Sequence, residues 1–185
     1  MVKNRFMRLT VMLLALVLVS AACGEDDGGR ADGVLEIGTV LPETGDLAVL
    51  GPPMINSTNM ALRDINAAGG VLGKAVQLIP GDDGTNEDIA NAAVDGHLAA
   101  GVDAIIGAAS SRISLSVIDK ISGSQTLQCS PSNTGSVFTT YDDNGGYYTR
   151  TAPPDNLQAQ ALGDLVTADG YADVVMGAPF YLVDG

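Results

Sequence analysis

The stretch Gly101-Val-Asp-Ala-Ile-Ile-Gly-Ala-Ala-Ser-Ser-Arg-Ile-Ser-Leu-Ser-Val117 is typical of a buried strand, a turn of small residues and a new helix. Asp103 to Ile106 are apolar and β-branched enough for a central parallel strand. Gly107 to Ala109 allow a ligand to approach the backbone, and Ser110 or Ser111 is suited to cap the helix. In an open parallel sheet, ligands bind at the carboxyl ends of the strands, where helix N-termini favour an anionic group such as a carboxylate. The stretch therefore predicts a ligand site, although helix capping alone also explains a Ser-Ser pair.

Strand-like and helix-like segments alternate on both sides of this stretch, from Val34 onward, which predicts an α/β fold with a largely parallel sheet. We predict strands at 34–41, 75–80, 103–106, 125–129, 147–151 and 172–176, and further helices at 52–68, 86–100 and 153–168. A second polar turn, Ser130-Pro-Ser-Asn-Thr134, follows the fourth strand. Because two such turns on neighbouring strands face one crevice, we expect them to share one site.

The N-terminal segment has the features of an export signal. Residues 1–22 combine a basic start with an apolar run that is too short to span a membrane comfortably. Ser20-Ala-Ala-Cys23 is similar to a bacterial lipobox, which implies cleavage before Cys23 and lipidation of its thiol. The alternative is an ordinary signal followed by an incidental cysteine. Residues 23–33 are polar and Gly-rich, so we expect a flexible tether to the membrane.

Composition excludes several classes of partner. Three of the nine basic residues and none of the 22 acidic ones lie in residues 1–22, so the remaining chain sets 22 acidic against 6 basic residues, a net charge of −16. Nucleic acid is a poor partner for such a chain. Cys129 would be the one thiol left after lipidation of Cys23, and we interpret it as a small core residue. We expect no metal and no cofactor.

Motifs for other chemistry are absent or incomplete. Gly70-Val-Leu-Gly-Lys74 lacks the first Gly and the Ser or Thr of a phosphate-binding loop. The pairs Asp82-Asp83 and Asp142-Asp143 lack the spacing of a calcium loop and are interpreted as turns. His97 is the single His and has no nearby nucleophile, so we interpret it as a partly exposed helical residue. An enzyme is therefore not expected.

The chain resembles the N-terminal part of a type 1 periplasmic binding protein of the branched-chain amino-acid (Leu/Ile/Val) receptor family. The resemblance covers about Val34 to Val175 and rests on motifs that occur in order: 37–45 (IGTVLPETG), 50–53 (LGPP), 64–73 (DINAAGGVLG), 82–85 (DDGT), 101–107 (GVDAIIG), 110–111 (SS), 130–134 (SPSNT), 150–151 (RT) and Asp155. It implies a three-layer α/β/α lobe of an extracytoplasmic receptor that delivers a small ligand to an ABC importer.

Site residues follow from the resemblance position by position. Ser111, with Ser110 beside it, matches the serine that binds the ligand's carboxylate. The backbone carbonyl of Ser132 and the hydroxyl of Thr134 match the acceptors of its ammonium group. Leu50 stands where many relatives place an aromatic side chain over the ligand, and Arg112 where a small residue is common.

The same resemblance sets expectations for the whole chain. We expect a ligand-binding lobe at 34–151 and the start of a truncated second lobe at 152–185, because residues 177–185 do not resemble the usual continuation. A fragment of this kind is expected not to work as a receptor. The leading function is capture of an amino acid or similar small carboxylate for the permease subunits of an ABC importer. The protein itself is expected in the cell envelope, lipid-anchored to a membrane. The alternative is a ligand-sensing receptor of the same fold, which a neighbouring sensor-kinase gene would favour over permease and ATPase genes.

Overall fold

A parallel five-stranded sheet forms the centre of the computed structural model, which describes residues 33–143, 145–171 and 173–174. The strands are β1 (Glu36–Val40), β2 (Gln77–Ile79), β3 (Ala104–Gly107), β4 (Leu127–Ser130) and β5 (Tyr148–Arg150). Their spatial order is β2-β1-β3-β4-β5, with every neighbouring pair parallel. The chain therefore reverses its direction of travel across the sheet between β1 and β3, where ligands bind in folds of this kind.

Four α-helices accompany the described strands: α1 (Gly51–Ala67), α2 (Glu87–Ala100), α3 (Ser111–Gly123) and α4 (Asp155–Ala168). Helices α2 and α3 pack on one sheet face, and their shared core includes Val40, Val94, Ile105, Ile113 and Val117. Helix α1 lies on the other face and borders a cavity of about 330 Å³ with Leu78 of β2. Helices on both faces of a parallel sheet confirm the predicted α/β/α class.

The helix ends follow from their capping residues. Asn86 precedes α2, and its side chain accepts hydrogen bonds from the amides of Asp88 (2.9 Å) and Ile89 (3.2 Å). Gly101 ends the same helix at φ 77°, a conformation that glycine adopts without the steric cost of a Cβ. Two successive prolines, Pro52 and Pro53, stand in the first turn of α1, where their missing N–H groups cost nothing.

The sequence placed most elements within two residues of their observed bounds. The fourth strand begins at Leu127 rather than residue 125, because Gln125 has φ 56° and closes a turn onto the Ser122 carbonyl. Two short 3-10 helices, Ala48–Leu50 and Ser136–Thr139, were not predicted. The last predicted strand lies mostly outside the described residues, as do the signal segment, Cys23 and nearly all of the tether.

The interpretation of His97 is wrong: its ring is buried, with 4% of its surface exposed. The ring packs against Gly38 and Gly81, where an added Cβ would lie 2.8 Å and 2.7 Å from ring atoms. Its Nε2 lies 2.8 Å from the Thr39 carbonyl, so that nitrogen carries the proton and donates. His97 therefore joins α2 to the ends of β1 and β2.

Cys129 is half-buried rather than a full core residue, and burial raises the pKa of its thiol. Helix α4 has no buried residue, although the amide of Asp155 at its start donates to the Thr134 carbonyl at 2.9 Å. Among the helices that the structure describes, none is long and apolar enough to cross a membrane.

Candidate functional site

The first candidate turn follows β3 and requires glycine at its start. Gly107 has φ 131°, and a Cβ added there would lie 1.9 Å from the Val40 carbonyl oxygen of the neighbouring strand. This close approach lets the chain leave the sheet between β1 and β3. The following residues, Ala108 and Ala109, are buried, and they lead to Ser110 at the N-cap position of α3.

The expected capping by Ser110 or Ser111 is wrong. Ser110 has the extended backbone of an N-cap residue, but its side chain makes no capping hydrogen bond. Its hydroxyl has no protein partner within the part of the chain that the structure describes. The first amides of α3 therefore receive no capping bond from Ser110, and such a helix end favours an anion.

The carbonyl groups of the first turn point into the protein. The Ala108 carbonyl accepts hydrogen bonds from Ser114 Oγ (3.2 Å), Ser130 Oγ (2.8 Å) and Asn133 Nδ2 (3.2 Å). With its acceptors engaged by buried donors, the turn is held by the protein interior rather than by water. Its rigid backbone suits a site that must present N–H groups in a fixed geometry.

The second candidate turn follows β4 and is organised around Ser130. The buried Ser130 hydroxyl accepts hydrogen bonds from the amides of Ser132 (3.3 Å) and Asn133 (3.0 Å). Downstream, Arg150 of β5 donates to the Gly135 carbonyl at 2.7 Å and to Thr139 Oγ1 at 2.8 Å. Both ends of the turn are therefore fixed to strands.

Side chains join the two turns directly, so the turns lie next to one another; that they face one ligand crevice stays a prediction. The Gly135 amide donates to Ser111 Oγ at 3.1 Å, and Ser132 Oγ donates to the Ala109 carbonyl at 2.9 Å. The half-buried Thr134 lies between these two contacts, and no described residue bonds its hydroxyl. Four of the predicted site residues are thus brought together: Ser110, Ser111, Ser132 and Thr134.

The hydroxyl groups in this crevice differ in what they can do. Ser111 Oγ already accepts a hydrogen bond, so its proton can be donated to a carboxylate oxygen near the N-terminus of α3. The Thr134 hydroxyl can accept a hydrogen bond from an ammonium group on the side of the second turn. Ser132 Oγ already donates its proton to the Ala109 carbonyl. The backbone carbonyl of Ser132 is therefore the group of this residue that we expect to accept a hydrogen bond from a ligand. The crevice therefore offers a donor side and an acceptor side.

The fifth predicted residue, Leu50, belongs to a different loop. It immediately precedes α1, with 42% of its surface exposed. Its loop is tied to the turn after β2, since the Leu47 amide donates to Thr85 Oγ1 at 3.0 Å. A contact of Leu50 with a ligand stays a prediction.

Arg112 forms an ion pair with Glu87 of α2, with Nη1 and Oε1 3.1 Å apart. Both side chains are about half exposed, so the pair contributes about 0.2 to 1 kcal/mol. The larger residue at this position is therefore compatible with a ligand at the neighbouring serine.

The adjacent carboxyl groups Asp82 and Asp83 form a turn, as predicted, but their environments differ. Desolvation opposes ionisation of Asp82, yet hydrogen bonds from Thr44 and from the amides of Gly84, Thr44 and Glu43 together lower its pKa. Asp83 is 1% exposed, and its desolvation outweighs the hydrogen bonds from Thr85 and Ala109, which raises its pKa. Among the described residues, its Oδ2 has no hydrogen-bond partner. The sequence did not reveal this buried carboxyl beneath the first turn, because an Asp-Asp-Gly turn is usually exposed.

No group of three or more His, Cys, Asp or Glu side chains suited to a metal ion occurs among residues 33–143, 145–171 and 173–174. Ser130 and Asn133, which organise the crevice, were missed as individual residues. Their one signal in the sequence is their place in a polar turn after an apolar strand.

Comparison with known proteins identifies the relatives of this arrangement. A family model described as periplasmic binding protein matches residues 34–183. The chain belongs to the periplasmic binding protein family. The match continues past Val175, where we expected the resemblance to end.

Binding proteins for branched-chain amino acids are among the most similar relatives. The chain is 27% identical over 158 residues to Leu/Ile/Val-binding protein homolog 3 of Brucella melitensis, covering 85% of this chain and 42% of that one. Among solved structures, it is similar to the substrate-binding protein LivJ of Streptococcus pneumoniae in complex with isoleucine (26% identity, TM-score 0.64, covering 72% of this chain and 38% of that one). An ABC transporter substrate-binding protein of Desulfitobacterium hafniense in complex with Leu gives 26% identity and a TM-score of 0.63, covering 74% of this chain and 39% of that one.

These matches confirm the predicted resemblance to type 1 periplasmic binding proteins of the branched-chain amino-acid family. The periplasmic binding proteins are substrate-binding proteins and not enzymes, as the sequence predicted. The chain spans about two fifths of the length of the relatives it matches.

Proposed function

We propose that residues 34–151 form the N-terminal ligand-binding lobe of an extracytoplasmic receptor that captures an amino acid or a similar small carboxylate for an ABC importer. The observation that carries this proposal is the joined pair of turns after β3 and β4 at the N-terminus of α3, with hydroxyls at Ser110 and Thr134 that no described residue bonds. The bound isoleucine and Leu of the two solved relatives support an aliphatic amino acid as ligand.

In this proposal the ligand's carboxylate meets the Ser111 hydroxyl and the free N–H groups of α3, with Ser110 beside them. Its ammonium group meets the Thr134 hydroxyl and the Ser132 carbonyl. Leu50 borders the ligand from the loop before α1. The helix end is worth about 0.3 to 1 kcal/mol to an exposed anion and more in a closed, partly buried site.

The proposal extends to the cell envelope. Lipidation of Cys23 would anchor the receptor to a membrane, with residues 23–33 as its tether, and the permease subunits of the importer would be its protein partners. The lipobox-like Ser20-Ala-Ala-Cys23 and the extracytoplasmic family support this part.

The test is Ser111→Ala in the full-length protein. We expect the affinity for L-leucine to fall by about 1 to 3 kcal/mol, because the variant loses a hydrogen bond to a charged group. Ser116→Ala is the matched control, since Ser116 lies on the same helix and donates to the Ile113 carbonyl. Calorimetry that gives equal affinities for the wild type and the Ser111 variant would remove Ser111 from the site.

A further inference from the structure

The side chain of Asn133 lies between the two turns and uses all of its hydrogen-bonding groups. It is 0% exposed, and its Nδ2 donates to the carbonyl oxygens of Ala108 (3.2 Å) and Ala109 (2.9 Å). Its Oδ1 accepts from the Tyr148 hydroxyl at 2.8 Å. Because two carbonyl oxygens can only accept, the amide nitrogen must face them, and the orientation of the side chain is fixed.

Strand β5 supports this side chain from the side opposite the first turn. Desolvation raises the pKa of Tyr148, so its phenol stays protonated and donates to Asn133. The Tyr148 ring is stacked on Phe138, with ring centroids 4.7 Å apart. Arg150, two residues along the strand, approaches the Asn133 carbonyl at 3.4 Å. Side chain and backbone of Asn133 are thus both held by β5.

Of the other links between the turns, the bond from the buried Ser130 Oγ to the Ala108 carbonyl reaches only one of the two carbonyls that Asn133 holds. The remaining two, at Ser111 and Ser132, are weaker candidates for setting the spacing of the turns. Ser111 and Ser132 are half-buried and belong to the proposed ligand site, so water or ligand can compete for their hydrogen bonds. Asn133 is inaccessible to solvent, and no water competes for its three bonds. A buried, fully satisfied amide of this kind specifies one geometry.

We propose that Asn133 is the positioning residue that fixes the separation of the two ligand-binding turns, with Tyr148 holding its amide in place. The inference rests on the proposed function. It adds a residue that acts through the Ala108 and Ala109 carbonyls without touching the ligand. The acceptor side of the crevice, at Thr134, is thereby set relative to the donor side, at Ser111.

The experiment compares Asn133→Ala with Val117→Ala, a core variant in α3, by amide hydrogen exchange on the 185-residue chain. Loss of global stability accelerates all globally protected amides equally, whereas loss of a local constraint accelerates only the amides nearby. After matching the two variants for global stability, we expect exchange at residues 108–111 and 132–135 to be at least about tenfold faster in Asn133→Ala. Equal exchange in those residues would overturn the proposal.

Tyr148→Phe is the second variant, because it removes one hydroxyl and keeps the buried ring. We expect faster exchange at the same two turns, by a smaller factor than in Asn133→Ala. If Asn133→Ala fails to fold, Tyr148→Phe decides alone: unchanged exchange at residues 108–111 would overturn the proposal.

A binding arm separates this inference from the function on which it rests. In the full-length protein, L-leucine should bind the Asn133→Ala variant at least about tenfold more weakly than the wild type, under conditions where both are folded. Unchanged affinity beside loosened turns would overturn the positioning role in binding. Absence of L-leucine binding in the wild type would instead count against the proposed amino-acid ligand, and the exchange result would still decide whether Asn133 holds the turns.

Discussion

Replacing Ser130 with alanine should destabilise the fold more than its single oxygen atom suggests. The buried Ser130 hydroxyl donates to the Ala108 carbonyl and accepts from the amides of Ser132 and Asn133. In the variant, the Ala108 carbonyl still accepts hydrogen bonds from two other donors, so losing the bond from Ser130 costs it little. The two amides, in contrast, lose their acceptor.

The magnitude follows from the burial of those amides. A buried donor left unsatisfied costs about 1 to 3 kcal/mol, and a lost hydrogen bond costs about 1 kcal/mol. Asn133 is fully buried and bears the full penalty, whereas water can reach the half-buried Ser132. We therefore expect Ser130→Ala to lower the free energy of unfolding by about 2 to 4 kcal/mol.

Urea denaturation followed by far-UV circular dichroism measures this change, with Ser122→Ala as the matched control. Ser122 is also a buried serine, but its hydroxyl donates to the Ile118 carbonyl of its own helix and accepts from no amide of the described residues. Alanine also has the higher helix propensity, so the control should change by less than about 1 kcal/mol. If both variants lost the same stability, the role assigned to Ser130 would be refuted.

Four further predictions concern the ionisation of Asp83 and Asp82, membrane anchoring, and helix α4. The pKa of Asp83 is raised in the fold, so its contribution to stability is present at low pH and is lost as pH rises through the folded pKa. The Asp83→Asn variant should therefore gain stability relative to the wild type between pH 4 and pH 7. Urea unfolding at the two pH values measures this difference. The lowered pKa of Asp82 predicts the opposite: Asp82→Asn should be less stable than the wild type at pH 7 but not in acid. For either variant, a stability difference from the wild type that does not change with pH would contradict the direction of the pKa shift. Cys23→Ser should leave the protein unprocessed or release it from membranes, and failure of radiolabelled fatty acid to enter the wild type would contradict lipidation. Helix α4 buries no residue, so its amides should exchange far faster than those of α3 in the 185-residue chain. Strong exchange protection across Asp155–Ala168, together with micromolar binding of L-leucine, would contradict this prediction.

The sequence predicted the fold well where local signals and tertiary packing agree. Asn86 and Gly101 cap the two ends of α2, and both are residue types typical of caps, so the sequence alone predicted where this helix begins and ends. Gln125 was placed in a strand with residues 126–129, but its positive φ depends on how α3 ends. His97 was expected to be partly exposed because nothing in a single sequence indicates that Gly38 and Gly81 leave room for its ring.

The candidate site was predictable as a place and less so as a set of contacts. Polar turns after two strands located Ser111 and Thr134, since adjacent parallel strands end at one edge of the sheet. The roles of Asn133 and Asp83 depend on distant partners, Tyr148 and Ala109, whose proximity only the tertiary fold creates.

The strand order also constrains how the sheet can assemble during synthesis. Strand β1 pairs with β2 on one edge and with β3 on the other, through registers such as Gly38 with Ile79 and Val40 with Gly107. At a synthesis rate of about 5 to 20 residues per second, β3 follows β2 from the ribosome by roughly 1 to 6 s. During that interval one edge of β1 has no partner and can pair with another chain. A slow codon or a stalled ribosome between β2 and β3 would lengthen the interval in which this edge of β1 is open to another chain.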